Sequence, residues 1–178
     1  SAFDLGMVAL AEADLLLLET MYSDAIAAYN LAFDRLAGQA GAKPHGVWIY
    51  RQISFCYHYL RNFDLALAFG RKAVNLAEEV FGTYHNETAK AYNRLGHILV
   101  VAEYNVEALE NHLKACKILT KLYGSDHPRV LKSYNGLANV YHNLGDSVRA
   151  VNYYLRTLKV NWATDGDSSR GAMVAYRN

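Results

Sequence analysis

The chain is poor in the features that mark most chemistries. It has two cysteines, Cys56 and Cys116, in 178 residues. That is too few for a disulfide scaffold and favours a reducing compartment, so a cytoplasmic location is expected. No stretch approaches the roughly 18 consecutive apolar residues of a membrane span. The best runs, Leu15–Leu18 and Ile98–Ala102, are far shorter. Charge of one sign is also missing. Lys plus Arg number 18 and Asp plus Glu 17, a formal net charge of +1. No global field draws such a chain to nucleic acid or membrane, and the basic residues form no long stripe. There is no glycine-rich phosphate loop, His-Glu-x-x-His pair or nucleophile elbow. The opening Ser1-Ala2-Phe3 carries no leader pattern and reads as a boundary within a longer protein. Asn86-Glu87-Thr88 fits a glycosylation acceptor, but beside these signs it reads as a chance match.

What is present is a ruler. Tyr50, Tyr92, Tyr134 and Tyr176 lie 42 residues apart. Ala66, Ala108 and Ala150 keep the same step, as do Gly82, Gly124 and Gly166, and Tyr57, Leu99 and Tyr141. A fixed period of this size signals repeats whose units bury their apolar faces only against neighbours. Within one unit, Tyr134, Leu137, Ala138 and Tyr141 share one face of a helix. Gly145 then ends that helix, and Ala150, Val151, Tyr154, Thr157 and Leu158 mark a second. Two amphipathic helices joined by so short a turn lie antiparallel. Small residues recur where the two must approach: Ser54, Gly96 and Ala138 on first helices, Ala66, Ala108 and Ala150 on second ones. Gly124 followed by Asp126, His127 and Pro128 reads as a helix stop and a new start. The matching earlier stretch offers Asn86 as the cap. The spacing slips to 41 residues between Ala25 and Ala66, across the loop-like Gly38–Pro44.

With these residues in place, the chain resembles the tetratricopeptide repeat. Tyr134, Leu137-Ala138, Tyr141, Gly145, Ala150 and Tyr154 follow that pattern, departing at Ser147 and Thr157. Tyr22, Ala25, Tyr29 and Ala32 match its second half. Glu103 stands where a turn glycine is usual, and Gly70 where an aromatic is usual. The 42-residue unit with Tyr123-Gly124-Ser125-Asp126-His127-Pro128 is similar to the variant in kinesin light chains. The expected fold is all-α, a right-handed superhelical solenoid of antiparallel helix pairs. A single domain over 1–178 is expected, with repeats at about 3–38, 45–81, 86–123 and 128–163 and a partial fifth at 168–178.

The resemblance implies that first helices line a concave groove. Their stripes beside the core face are Arg51, Phe55 and His58, then Lys90, Asn93 and His97, then Lys132, Asn135, Asn139 and His142. Asparagine is a poor helix-interior residue, so its recurrence on an outward face asks for a reason. Its amide can hold a peptide backbone, Lys and Arg favour acidic residues, and Phe55 offers an apolar anchor. The expected function is non-catalytic: an adaptor or scaffold that binds a short acidic peptide. A regulatory or sensor module of a larger enzyme or transcription regulator is the alternative, and self-association through an open solenoid end a third. No cofactor, metal, nucleic acid or membrane partner is expected. His112 and Cys116 sit four apart, as metal ligands could, but both fall in the core stripe and read as buried packing residues. His58, His97 and His142 share the groove face without a register that gathers them. Glu78-Glu79, Glu107 and Glu110 read as solvated helix surface.

Overall fold

The computed structural model describes residues 1–39 and 41–165. Tyr176, Gly166 and the expected start of a fifth repeat lie outside the described residues. Eight α-helices follow in order among the described residues, with no strand. They are α1 (Ala2–Leu18), α2 (Tyr22–Leu36), α3 (Lys43–Tyr59), α4 (Phe63–Phe81), α5 (Asn86–Val101), α6 (Asn105–Tyr123), α7 (Leu131–Asn143) and α8 (Ser147–Asp165). A 3-10 turn, Pro128–Val130, precedes α7. Each odd-numbered helix packs on the even-numbered helix that follows it, which is the helix-pair architecture expected from the period. The chain divides into two compact units, Ser1–Gly82 and Thr83–Asn178.

In the first unit, Ala9 and Ala13 of α1 and Ala25 and Ala32 of α2 are fully buried. These small side chains allow the two backbones to close together. A Cβ on Gly6 would come 2.7 Å from Leu36 Cγ, so a larger residue there would wedge the pair apart. Ile49, Ile53 and Cys56 of α3 join the same core, together with Tyr29. Between α3 and α4, the buried Ser54 hydroxyl donates to the Ala66 carbonyl at 2.6 Å, so the small residue also satisfies its own polar atom. In the second unit, Leu95 and Leu99 of α5 and Ala108 and Ala115 of α6 are buried, and Leu137 and Tyr141 of α7 share a core with Ala150 of α8.

Helix ends follow the sequence signals with one correction. Gly82 and Gly124 end α4 and α6 with φ of 80° and 91°. His127 Nδ1 accepts from the Arg129 N–H ahead of α7, with Pro128 in the first turn. Asn86 is not the cap of α5. That role falls to His85, whose Nδ1 accepts from the Glu87 N–H, while Asn86 is already helical. An imidazole nitrogen serves here as the acceptor that an Asn or Ser oxygen usually supplies.

The turns inside the helix pairs share one left-handed residue. Thr20, Arg61, Glu103 and Gly145 have φ of 59°, 61°, 65° and 78°. Only Gly145 adopts this conformation without a steric cost, and Thr20, β-branched, is the worst suited. We therefore expect Thr20→Gly to raise the unfolding free energy by about 1 kcal/mol, read from the urea midpoint. Gly145→Thr should lower it by a similar amount.

Candidate functional site

In the first unit, the face of α3 carries an aromatic cluster. Arg51 is buried, with its guanidinium 4.9 Å from the centre of the Trp48 ring. Phe55 is half-buried, its ring 4.5 Å from that of Tyr59, which in turn stacks on Tyr22 at 5.0 Å. His58 meets Tyr59 edge-on at 5.2 Å. Trp48 also donates from Nε1 to Asp14 Oδ1 at 3.4 Å, and the Tyr29 hydroxyl donates to the same oxygen at 2.5 Å. Burial, reinforced by the Asp14 carboxylate, raises the Tyr29 pKa, so the phenol stays a donor. Arg51, Phe55 and His58 thus lie within a packed aromatic surface of α3 rather than on a polar strip, each against Trp48 or Tyr59. Trp48 and Tyr59, absent from the expected stripe, complete this surface. Their signal was the spacing of 48, 51, 55 and 59, which puts all four on one helical face.

In the second unit, α5 and α7 lie side by side. Lys132, Asn135, Asn139 and His142 are exposed along α7, and Lys90 and His97 along α5. Lys132 makes no ion pair among the described residues, whereas Lys90 Nζ lies 2.6 Å from Glu87 Oε1. Asn139 Oδ1 accepts from the Tyr154 hydroxyl at 2.7 Å. Asn135 Oδ1 lies 3.0 Å from the Thr157 hydroxyl, which also reaches the Tyr153 carbonyl. Both amide carbonyls are thus engaged by α8, and both NH2 groups remain as donors. His97 is exposed as a residue, yet neighbouring side chains desolvate its ring. That desolvation, and the charge of Arg94 second, lower its pKa.

Asn93 departs from the expected exposed strip. It is buried, its Nδ2 donating to the Ser133 hydroxyl at 2.9 Å. Its Oδ1 lies 3.1 Å from His112 Nδ1. The physical reason is Ser133: a small side chain on α7 lets that helix close over Asn93. His112 is itself buried, pressed between two glycines. A Cβ on Gly136 would come 2.3 Å from His112 Cε1, and one on Gly96 2.8 Å from Nε2. Nδ1 donates to Asn93 in the neutral ring, and Nε2 makes no hydrogen bond among the described residues. Burial first, and the charge of His97 second, lower the His112 pKa to about 4. His112 is a core residue and Cys116 is half-buried, packed against the Leu137–Tyr141–Ala150 cluster; among the described residues no group of three or more His, Cys, Asp or Glu side chains gathers as metal ligands.

Two outcomes follow from this geometry. Unfolding returns His112 to an ordinary imidazole pKa near 6.5, so between about pH 6.5 and 4 the unfolded chain binds the extra proton. Stability should be full above about pH 6.5, fall by about 3 kcal/mol as pH drops to about 4, and then level off. His112→Gln should flatten that part of a pH series of urea midpoints. Gly136→Ala should cost about 1–3 kcal/mol in the native background and less with His112→Ala, which removes the ring it strikes.

The sequence and the fold both have relatives. The tetratricopeptide repeat family model matches residues 47–103 and 105–161. No curated protein matches the chain. Among solved structures, BtubC (BKLC) from P. vanneervenii is similar with a TM-score of 0.81 and 22% identity, over 94% of this chain and 67% of that one. The nearly identical TPR-like repeats of a kinesin light chain candidate from Podosopora anserina give 0.78 and 17%, over 99% and 87%. The apo form of RapI gives 0.72 and 15%, over 90% and 43%. At these identities the likeness is one of fold: all-α helix pairs of the solenoid class.

Proposed function

The chain belongs to the tetratricopeptide repeat family, a class of protein–protein interaction module, and we propose that its second unit binds an extended acidic peptide along α5 and α7. The observation that carries this reading is the pairing of Asn135 and Asn139. Their carbonyls are held by α8 hydroxyls, so each presents amide N–H donors at a fixed place on an exposed helix face. Donors spaced one helical turn apart suit the carbonyls of an extended backbone and demand no particular ligand side chain. Lys132 supplies an uncompensated positive charge beside them, and Lys90, His97 and His142 extend the polar face. Asn93 enters this reading as a support. It fixes α5 against α7 through Ser133, and its own amide is spent. In the first unit we assign an apolar contact for ligand side chains to Phe55 and Tyr59, flanked by Arg51 and His58. The units act in this reading as parts of one non-catalytic adaptor or scaffold domain in the cytoplasm.

The test is fluorescence anisotropy of a labelled Glu-rich peptide carrying one Leu or Phe. Lys132→Glu is expected to weaken binding by about tenfold at low salt, with less effect as salt rises. Lys90→Glu should do less, because Glu87 already shares that charge. Asn139→Ala should weaken binding at all salt concentrations. Unchanged affinity in both Lys132→Glu and Asn139→Ala removes this surface from the function.

A further inference from the structure

Within the second unit, α8 carries a cationic stripe that its counterpart in the preceding helix pair lacks. Arg149, Asn152, Arg156 and Lys159 follow the spacing i, i+3, i+7, i+10 and share one side of the helix. The positions 42 residues earlier, on α6, hold Glu107, Glu110, Lys114 and Lys117. Two acids and two bases cancel there, whereas α8 has three bases and no acid at these positions. The openness of this side does not come from the end of the chain. Glu110, Lys114 and Lys117 stay exposed although α7 and α8 follow them, so a further helix pair leaves this side of a second helix in water. Val151 and Tyr154, the apolar residues of α8, lie roughly 150° away around the helix.

The stripe rests on a platform of tyrosines. Tyr153 stacks on Tyr141 of α7 at 5.7 Å and meets Tyr134 at 5.9 Å. The Arg149 guanidinium lies 4.5 Å from the centre of the Tyr141 ring. That of Arg156 lies 5.4 Å from Tyr153 and 5.9 Å from Tyr134. Lys114 sits over Tyr92 at 5.2 Å, so a cation above the first-helix tyrosine is a packing device that the unit repeats. What α8 adds is a second stacked cation and a planar fork on each. The rings orient both guanidiniums while their N–H edges stay in water. Asp146 engages Arg149 at Nε, which leaves donors on the terminal nitrogens. Arg156 makes no ion pair among the described residues. Lys159 Nζ lies 3.1 Å from both oxygens of Asp126. These side chains, with Asn152, Tyr153 and Tyr141, line one open hollow of about 580 Å³.

We propose that this hollow binds a phosphate monoester, carried on a phosphorylated serine or threonine of a partner peptide. A phosphate dianion presents three oxygens, enough for the forks of Arg149 and Arg156 and the Asn152 amide together; a carboxylate offers two oxygens in one plane. The exposed pairs at the two ends, Arg149–Asp146 and Lys159–Asp126, hold little energy in water and yield to a doubly charged ligand. The occupant is a peptide rather than a nucleic-acid strand because the cations stop at one hollow. On α6 the same positions carry Glu107 and Glu110, which repel a backbone of continuing phosphates. The site does not rest on the acidic-peptide reading above, since Asn135 and Asn139 meet α8 at Thr157 and Tyr154, outside this stripe.

Fluorescence anisotropy tests it with short labelled peptides of Gly, Ala and Ser that carry phosphoserine, glutamate or plain serine at the centre. The phosphoserine peptide should bind about tenfold or more tightly than the other two, and inorganic phosphate should compete with it. Arg149→Glu combined with Asn152→Glu, which copies the α6 pattern, should abolish binding with helicity unchanged by circular dichroism. Arg156→Lys keeps the charge, loses the fork and should weaken binding about tenfold; it decides the matter alone if the double variant loses helicity. Lys132→Glu, on the other surface, should change nothing. The proposal is overturned if the folded double variant, or Arg156→Lys, binds the phosphoserine peptide as the native chain does. It is equally overturned if the glutamate peptide binds as tightly as the phosphoserine one. A labelled RNA oligonucleotide or a phosphatidylserine vesicle that binds more tightly than the phosphopeptide, and is released by the double variant, would overturn it too and give the stripe to that polyanion.

Discussion

Close approach of two helices at small side chains is the constraint on which the rest of this protein depends. Ala13, Ser54, Gly96 and Ala138 on the first helices, and Ala25, Ala66, Ala108 and Ala150 on the second, are all buried. Each pair is too thin to bury its large residues by itself. Tyr29, Ile53, Leu99 and Leu137 reach full burial only because a neighbouring helix comes within contact distance. Widening any one contact would expose large residues on both sides of it, so the small positions govern more apolar area than they contribute.

The same economy explains the histidine at the centre of the second unit. His112 occupies a slot that exists only because Gly96 and Gly136 have no side chain. The ring replaces the volume those glycines leave, and it brings a polar atom to Asn93, which in turn ties α5 to Ser133 of α7. A buried polar chain of this kind fixes one register between two helices, because any slip leaves a desolvated amide without its partner. The exposed Asn135 stands one period beyond Asn93, and among the described residues no serine closes over it.

Much of this was legible beforehand. The 42-residue step located the helix pairs, Gly82, Gly124 and Gly145 located their ends, and the repeated tyrosines and alanines located the core face, because helical periodicity and turn conformation are local consequences of residue type. Of the His112 and Cys116 pair, read as buried, His112 is buried and Cys116 only half-buried. The cap of α5 was misplaced by one residue, since His85 and Asn86 both carry an acceptor and sequence does not say which backbone is already helical. Arg51 and Asn93 were read as exposed because helical spacing reports only an angle around one helix. Whether a neighbour closes over that angle depends on the size of residues 40 positions away, here Ser133 for Asn93.

By itself the sequence determined the period, the pairing of antiparallel helices and the small-residue contacts, because these follow from side-chain volume and helical geometry within one unit. The tertiary structure alone decided which polar residues of the first helices face water. It buried Asn93 and left Asn135 exposed although both are asparagines one period apart, because accessibility is a property of the neighbouring helix and not of the residue.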